Sequence, residues 1–352
     1  MKLFKTYGYE VFAAGNGDED KEILTNIGIQ CFDITFDRSP FSINNLHAIN
    51  QLNKLFKENK FDLVHVHTPI AAFLVRYVLR NNKNIKVIYT AHGFHFYKGA
   101  PLINHIIFKP LEYIASKWTD HLITINNEDY NNALSFPLEK SRISLINGVG
   151  VEQISVPNSE IIALKKELNI KEGDFVISYV AELNKNKNHI FLLKNWKTIL
   201  ENCPHAKLLI IGTGNLEKEL KNYVKYNHLK RIEFLGYRRD VQKILKITDL
   251  VTLLSYREGL PKSIMEALVL GIPCIVTNTR GSRDLIKDNI NGYIIDIDDD
   301  VNLVDKFIKI INSPKLYSNM SMHAKQIGQL YLIENVIKEY QAIYNKVLEE
   351  EK

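Results

Sequence analysis

The chain is poor in cysteine and has no long apolar run. Its 352 residues include three cysteines, Cys31, Cys203 and Cys274, which are scattered and form no CxxC pair. This pattern argues against a disulfide framework or a structural zinc site and favours a reducing compartment. No segment has the length of a membrane-spanning helix or the pattern of a secretory signal. We therefore expect a cytoplasmic protein.

Strong charge of either sign is also absent. The formal net charge is +5, and the chain is 45% hydrophobic and 24% charged, as in ordinary globular proteins. The mild basic excess suits an anionic substrate or an anionic membrane surface and does not choose between them. Because 352 residues exceed the usual size of one domain, we expect two domains.

What the chain does contain is an alternation of short apolar runs and amphipathic stretches. This alternation is typical of parallel sheets covered by helices on both faces. Two sets of such runs predict two doubly wound, Rossmann-like α/β domains. The predicted strands are 10–14, 63–66, 86–90, 122–125, 175–180, 207–211, 232–235, 250–254 and 273–276, and the predicted helices include 43–57, 216–226 and 241–247.

A segment rich in Gly, Pro, Asn and Ser at 147–158 marks the expected domain boundary. We expect an N-terminal domain at 1–150 and a C-terminal domain at 151–331. A terminal helix at 332–352 is expected to pack back toward the N-terminal domain. Since open α/β sheets bind ligands at the carboxyl ends of their strands, the cleft between the two sheets is the expected ligand site.

Two carboxylates, Glu258 and Glu266, stand eight residues apart where an apolar strand leads into a helix. Pro261 favours a helix start there, because proline is well placed in a first helical turn. Free amides and the helix dipole at such a start attract phosphate. A glutamate on each side of that point suits a nucleotide-sugar, which has hydroxyls at both ends of its diphosphate. The alternative is a solvated acidic loop followed by a surface glutamate.

Four segments, at 90–94, 184–188, 211–214 and 258–266, occur in an order that resembles a known family. From about Gly8 to the terminal helix, the chain is similar to retaining glycosyltransferases of family 4, which have the two-domain GT-B fold. It looks most like bacterial enzymes of capsule, exopolysaccharide and lipopolysaccharide assembly. The resemblance implies transfer of a hexosyl unit from a nucleotide-sugar, with UDP expected, to a lipid-linked or glycan acceptor with retention of anomeric configuration.

The resemblance also implies roles for the residues of the donor-sugar site. Glu258 would approach the sugar hydroxyls, and Glu266 would bind the ribose. The amides of Gly259 and Leu260 would face the sugar and the diphosphate. Lys187 would neutralise the diphosphate as a compact point charge, although a solvent-facing lysine is the alternative.

Three more residues, His92, Gly281 and Arg283, are implied in the same way. His92 matches a histidine that reaches the donor sugar from the N-terminal domain, and the loop with Gly281 and Arg283 lies close to the donor. A histidine held in a tight turn and a purely structural loop are the alternatives. His95 is a weaker candidate than His92.

The implied reaction needs no protein nucleophile, metal or other cofactor. The leaving group departs and the acceptor attacks on one face of the sugar, so the protein supplies positioning, charge and exclusion of water. His65 and His67 alternate on one strand, and without a third ligand we expect packing rather than metal binding. Gly212 and Gly214 lack the third glycine of a dinucleotide fingerprint, since Glu217 stands there, which predicts a tight turn.

The chain departs from the family pattern in two places. Glu182 stands where the family has an arginine, so it is not assigned to the site. The sequence from Met1 to Tyr9 resembles the end of the family's first helix, so the N-terminal sheet would lack its central first strand. We expect either a longer reading frame or a degraded, weakly active relative.

The apolar-rich stretch 101–118 has two interpretations. It could rest on the cytoplasmic face of a membrane, near a lipid-linked acceptor. The interpretation that the sequence favours is a helix buried in the N-terminal domain, which Pro110 would kink or interrupt. Two other functions remain open for the whole chain: a UDP-sugar epimerase of similar fold, and a non-catalytic nucleotide-sugar-binding partner of a transferase.

Overall fold

The computed structural model describes residues 1–17, 21–37, 39–40 and 42–349. The chain divides into two α/β units. The first unit comprises Met1–Ile146 together with Ile337–Lys352, and the second comprises Asn147–Val336. The predicted fold class, two units built on parallel sheets with flanking helices, is confirmed.

The strands of the first unit form two parallel sheets. Strands β1 and β2 form one sheet, and β3, β4, β5 and β6 form the other in that order. No strand of the described residues joins the two sheets. Phe61 links them, with its ring centroid 5.3 Å from that of Phe12. The strands are β1 (Phe12–Gly15), β2 (Gln30–Asp33), β3 (Leu63–Val66), β4 (Lys86–Ala91), β5 (His121–Thr124) and β6 (Ile143–Leu145).

Six α-helices of the described residues before Asn147 flank the strands of the first unit, and α6 has a side-chain cap at its start. Asn126, for example, caps α6 by accepting a hydrogen bond from Asp129 N at 2.9 Å. The helices are α1 (Lys2–Thr6), α2 (Lys21–Asn26), α3 (Asn44–Glu58), α4 (Pro69–Leu79), α5 (Leu102–Ser116) and α6 (Asn127–Ala133).

A buried charge cluster joins α4 and α5 to strand β4. Arg76 Nη2 lies 2.8 Å from Glu112 Oε2, and both residues are buried. The Arg76 guanidinium also lies 4.2 Å from the ring centroid of Tyr89, which belongs to β4. Because β4 leads directly to His92, this cluster helps to fix the strand that carries a candidate site residue.

The second unit contains one six-stranded parallel sheet in the order β12-β11-β10-β7-β8-β9. Residues of β7, β8, β10 and β11 are almost all fully buried, which explains their nearly continuous apolar sequences. The strands are β7 (Phe175–Val180), β8 (Ala206–Ile211), β9 (Ile232–Gly236), β10 (Leu250–Leu253), β11 (Cys274–Thr277) and β12 (Gly292–Ile295).

The strand order of this sheet reverses between β7 and β10. Chain order runs outward from β7 through β8 and β9 on one side, and from β10 through β11 and β12 on the other. A crevice forms at such a switch point because the connections leave in opposite directions. The helices of the unit are α7 (Asn158–Glu167), α8 (His189–Asn202), α9 (Glu217–Tyr226), α10 (Val241–Leu245), α11 (Lys262–Val269), α12 (Arg280–Leu285), α13 (Asp300–Ile311) and α14 (Pro314–Gly328).

The last helix, α15 (Ile333–Glu349), begins in the second unit, and its residues from Ile337 onward group with the first. The prediction placed this helix at 332–352, of which 350–352 lie outside the described residues. One face of the helix is buried, at Val336, Tyr340, Ile343 and Val347.

Most predicted strands are present with ends shifted by one or two residues, but three strands were missed. The missed strands are β2, β6 and β12, each of which lies at an edge of its sheet.

Of the two effects expected of Pro110, a kink or an interruption of α5, the interruption is wrong. The helix continues through it. The carbonyl that Pro110 leaves without an amide partner belongs to Ile106, a residue that is 61% exposed. Within the described residues, no helix is both long enough and apolar enough to cross a membrane.

We predict that breaking the Arg76–Glu112 pair loosens β4. Arg76→Met leaves a buried carboxylate without its partner and should lower the opening free energy of β4 amides by about 3–5 kcal/mol. Hydrogen-exchange mass spectrometry of β4 peptides measures this change. The control is the double variant Arg76→Met/Glu112→Leu, which should recover most of the loss. Equal exchange in the single and double variants would contradict the prediction.

Candidate active site

Two loops of the second unit meet at the switch point of its sheet. The loop after β7 carries Lys187, and the loop after β10 carries Glu258. Lys187 Nζ lies 2.5 Å from Glu258 Oε1, although the residues are 71 positions apart in sequence. Asn186 strengthens the junction: its carbonyl accepts from Tyr256 N at 2.8 Å and its side-chain amide donates to Arg257 O at 3.0 Å. The structure thus brings two predicted site residues together.

Two side chains, those of Asn184 and Tyr179, form hydrogen bonds with the backbone of Lys187. Asn184 accepts a hydrogen bond from Lys187 N at 3.1 Å through its side chain. The hydroxyl of Tyr179, in β7, donates to Lys187 O and accepts from Leu254 N at 2.8 Å. Burial raises the pKa of Tyr179 well above its usual range, so this hydroxyl stays protonated and keeps donating. One side chain therefore ties the ends of β7 and β10 together.

Glu258 is 8% exposed and is fixed through its backbone as well as its carboxylate. Its carbonyl accepts from Arg280 Nε at 3.0 Å, and Arg280 is itself buried. Sequence reasoning missed Arg280 and selected Arg283, three residues later. Arg283 is exposed and donates to Asn278 Oδ1 at 3.1 Å. Its predicted role beside the donor stays a prediction.

The loop with Gly259 and Leu260 lies directly against Gly281. A Cβ atom on Gly281 would be only 1.9 Å from Gly259 O and 2.8 Å from Leu260 Cα, so no other residue fits there without a shift. The start of α12 is thereby packed onto the loop that leads from Glu258 into α11.

Gly212 and Gly214 serve a similar purpose after β8. A Cβ atom would lie 2.0 Å from Ala181 O at Gly212 and 2.4 Å from Leu183 O at Gly214. This close approach of two backbones explains both glycines as a tight turn. Glu182 is exposed in the neighbouring loop.

Helix α11 begins at Lys262, directly after Pro261, where the sequence predicted a helix start. Pro261 is its N-cap, and its carbonyl accepts from Ile264 N and Met265 N. The Glu266 side chain is 11% exposed and lies 3.5 Å from Lys262 Nζ. Burial raises the pKa of Glu266, and the Lys262 ammonium opposes that rise. Helix α11 therefore carries a largely buried carboxylate, that of Glu266, one turn after its first residue.

In the first unit, His92 follows β4 and is exposed. Its Nε2 atom lies 3.1 Å from Nδ1 of His67, which follows β3 and is exposed too. Loss of hydration lowers the pKa of His92, so the ring is neutral at pH 7. His95 instead stacks on Phe108, with ring centroids 4.5 Å apart, which is a packing contact.

Metal-ligating side chains do not gather in the part of the chain that the structure describes. No group of three or more His, Cys, Asp or Glu residues there has the arrangement to hold a metal ion.

Comparison with known protein families identifies the chain as a glycosyltransferase. A model of "Glycosyltransferase Family 4" matches residues 6–152, and a model of "Glycosyl transferases group 1" matches residues 160–327. The chain is 32% identical over 355 residues to EpsD of Bacillus subtilis (strain 168), whose name assigns it to the glycosyltransferases; the match covers 99% of this chain and 92% of that protein. The chain therefore belongs to glycosyltransferase family 4, as the motifs indicated.

A second relative has a more specific name. The chain is 32% identical over 297 residues to the Escherichia coli UDP-Gal:alpha-D-GlcNAc-diphosphoundecaprenol alpha-1,3-galactosyltransferase, covering 83% of this chain and 76% of that protein. Among solved structures, Anabaena HepE in complex with UDP and glucose superposes with a TM-score of 0.82 at 17% identity, covering 98% and 94% of the two chains. This likeness shows that the GT-B fold is shared.

We predict that Gly281→Ala disturbs the Glu258–Leu260 loop. The added methyl group would collide with Gly259 O, so the loop must move and its amides should exchange with solvent at least ten-fold faster. Hydrogen-exchange mass spectrometry of peptides covering 255–265 measures the effect. Gly15→Ala, where a Cβ meets nothing within 4 Å, is the matched control. Unchanged exchange in Gly281→Ala would show that the close contact does not order the loop.

Proposed function

We propose that this protein transfers a hexosyl unit from a nucleotide-sugar to a lipid-linked or glycan acceptor in the synthesis of a bacterial cell-surface polysaccharide. The observation that carries the proposal is the Lys187–Glu258 pair at the switch point of the second unit. The names of relatives support the rest: one names a UDP-sugar donor and a diphosphoundecaprenol-linked acceptor, and another, from Staphylococcus aureus, names capsular polysaccharide biosynthesis.

On binding, the diphosphate of the donor would replace Glu258 as the ionic partner of Lys187. Glu258 now neutralises the Lys187 ammonium. A diphosphate carries more charge than one carboxylate, so it would take the ammonium and release Glu258 to accept hydrogen bonds from the sugar. The amides of Gly259 and Leu260 and the start of α11 would face the diphosphate. Glu266 would bind the ribose, and the loop with Gly281 and Arg283 would close over the donor.

The transfer would retain the configuration of the anomeric carbon. The bond from that carbon to the diphosphate oxygen breaks, and the acceptor oxygen bonds to the carbon from the same face. The acceptor's proton passes to the departing phosphate oxygen, so no side chain acts as a nucleophile. Lys187 stabilises the charge that develops on the leaving diphosphate. His92, carried by the first unit, would contact the donor sugar.

No metal ion is part of the proposed mechanism, because Lys187 supplies the positive charge at the diphosphate. One transfer assay tests the independence from metal ions, the identity of the donor and the configuration of the product. Purified protein is incubated with UDP-linked hexoses, GDP-mannose or ADP-glucose and an undecaprenyl-diphosphate-linked sugar, with and without EDTA. Mass spectrometry of the lipid fraction should show one added hexose from a UDP-sugar in both conditions, and proton NMR should show the donor's anomeric configuration. Nucleotide binding without transfer would favour a non-catalytic partner, and an epimerised donor would favour an epimerase.

We predict that of the two members of the ion pair only Lys187 is needed for UDP affinity. Lys187→Met removes the ammonium and should weaken UDP binding by roughly ten-fold or more. Glu258→Gln removes the competing carboxylate, so UDP should bind as tightly as before or more tightly, while sugar transfer falls by roughly ten-fold or more because the hydroxyls lose a charged acceptor. Calorimetry with UDP and the transfer assay measure the two effects. An equal loss of UDP affinity in both variants would contradict the proposal that the diphosphate replaces Glu258 beside Lys187.

We propose that α5 rests on a membrane surface. Its buried residues, Glu112, Ala115 and Ser116, lie on one side. Apolar residues recur at helical spacing on the exposed side, so the alternative of a fully buried helix does not hold. Lys117 ends this exposed stripe, where a cation suits an anionic lipid headgroup. The exposed apolar residues are Leu102 (74%), Ile103 (56%), Ile106 (61%), Tyr113 (44%) and Ile114 (44%).

We predict that Ile103→Ser/Ile106→Ser weakens binding to vesicles that contain anionic phospholipid. The two side chains would bury apolar area in the lipid interface, and their loss should reduce vesicle affinity by about ten-fold or more. Co-sedimentation with vesicles measures it. Ile162→Ser/Val301→Ser removes exposed apolar side chains of the second unit, which are 68% and 80% exposed, and is the matched control. Equal losses in the two double variants would refute a specific role for α5.

A further inference from the structure

We propose that His67 is a positioning residue, which fixes the ring of His92 through the hydrogen bond between His92 Nε2 and His67 Nδ1 and leaves Nδ1 of His92 to accept a hydrogen bond from substrate. The proposal rests on the proposed function in one respect, the contact of His92 with the donor sugar. The fixed ring itself is a property of the free protein.

Sheet geometry brings the two rings together. β3 and β4 are parallel neighbours with Val66 opposite Tyr89. Side chains two residues apart on a strand share a face, so His65 and His67 stand beside Thr90 and His92. His65 Nε2 lies 2.7 Å from Thr90 Oγ1, and His67 Nδ1 lies 3.1 Å from His92 Nε2. Two polar pairs therefore bridge the strands at their carboxyl end.

The ring of His67 is held in turn by His65. Their ring centroids are 4.2 Å apart and the planes are tilted by 38°. His65 is fixed at both nitrogens, since Nε2 meets Thr90 and Nδ1 lies 2.5 Å from the Tyr344 hydroxyl of α15. With both nitrogens of His65 engaged, the three rings support orientation rather than metal binding. The support runs from α15 through His65 and His67 to His92.

The protonation states follow from the crowding of the rings. Loss of hydration lowers the pKa of His67 and of His92 and places the pKa of His65 well below its ordinary value. At pH 7 each ring is neutral and has one N–H. If His92 donates from Nε2 to His67 Nδ1, both rings adopt the Nε2–H tautomer, which free histidine prefers. His92 then offers the Nδ1 lone pair to a sugar hydroxyl.

Three substitutions at His67 distinguish positioning from packing and from direct substrate contact. In His67→Asn, the side-chain amide takes the position of His67 Nδ1. In His67→Gln, the amide takes the position of Nε2 instead. His67→Phe keeps an aromatic ring and has neither polar atom. His67→Asn should keep kcat/KM within about three-fold, whereas His67→Gln and His67→Phe should lower it by roughly ten-fold, through kcat, with UDP affinity unchanged. Retention in Gln with loss in Asn would overturn the proposal, because it would mean that Nε2 of His67 contacts substrate. Equal activity in all three variants would also overturn it.

A second readout does not depend on activity. Proton–nitrogen spectra of the imidazoles in the free protein, with His92 assigned from His92→Gln, should show a slowly exchanging Nε2–H of His92 in the wild type and in His67→Asn. This signal should be lost in His67→Gln and His67→Phe. An unchanged His92 signal in His67→Phe would overturn the proposal. If the wild type transfers no sugar, the proposed function fails while the spectra still decide whether His67 fixes His92.

Discussion

The ion pair between Lys187 and Glu258 is the interaction on which the site depends. A fully buried pair that loses one partner leaves an uncompensated charge at a cost of about 3–5 kcal/mol. Here the Lys187 side chain is 22% exposed and that of Glu258 is 9% exposed, so solvent reaches the lysine and moderates that cost. The pair is therefore strong enough to order two loops and accessible enough to be replaced by a diphosphate. Binding of the diphosphate would therefore be coupled to the order of the two loops that carry Lys187 and Glu258.

The sheet of the second unit makes this pair possible. Because β7 and β10 are neighbours at the reversal of strand order, the loops that follow them emerge side by side. Tyr179 joins the two strand ends, and Arg280 holds the backbone of Glu258. Gly281 lets α12 approach the loop closely enough to support it. The charged side chains are thus carried by two loops whose backbones are held by hydrogen bonds and close packing.

Apolar runs and turn residues were enough to predict the parallel sheets and the loop that carries Glu258. The role of Lys187 was predicted from the family resemblance, since its local sequence also fits a solvent-facing lysine. The supporting residues were not predictable in this way. Arg280 and Tyr179 act through partners more than 20 and 70 residues away, and the pairing of His67 with His92 requires the register of β3 against β4. Pro110 misled the prediction because its cost depends on whether a neighbouring carbonyl meets water, which only the packed helix reveals.

The most direct test of the account is a crystal structure of the protein grown with UDP. We predict diphosphate oxygens within hydrogen-bonding distance of Lys187 Nζ, the ribose at Glu266, and the Glu258 carboxylate moved away from the lysine. A nucleotide bound elsewhere, with the Lys187–Glu258 pair intact at its present 2.5 Å, would contradict the account.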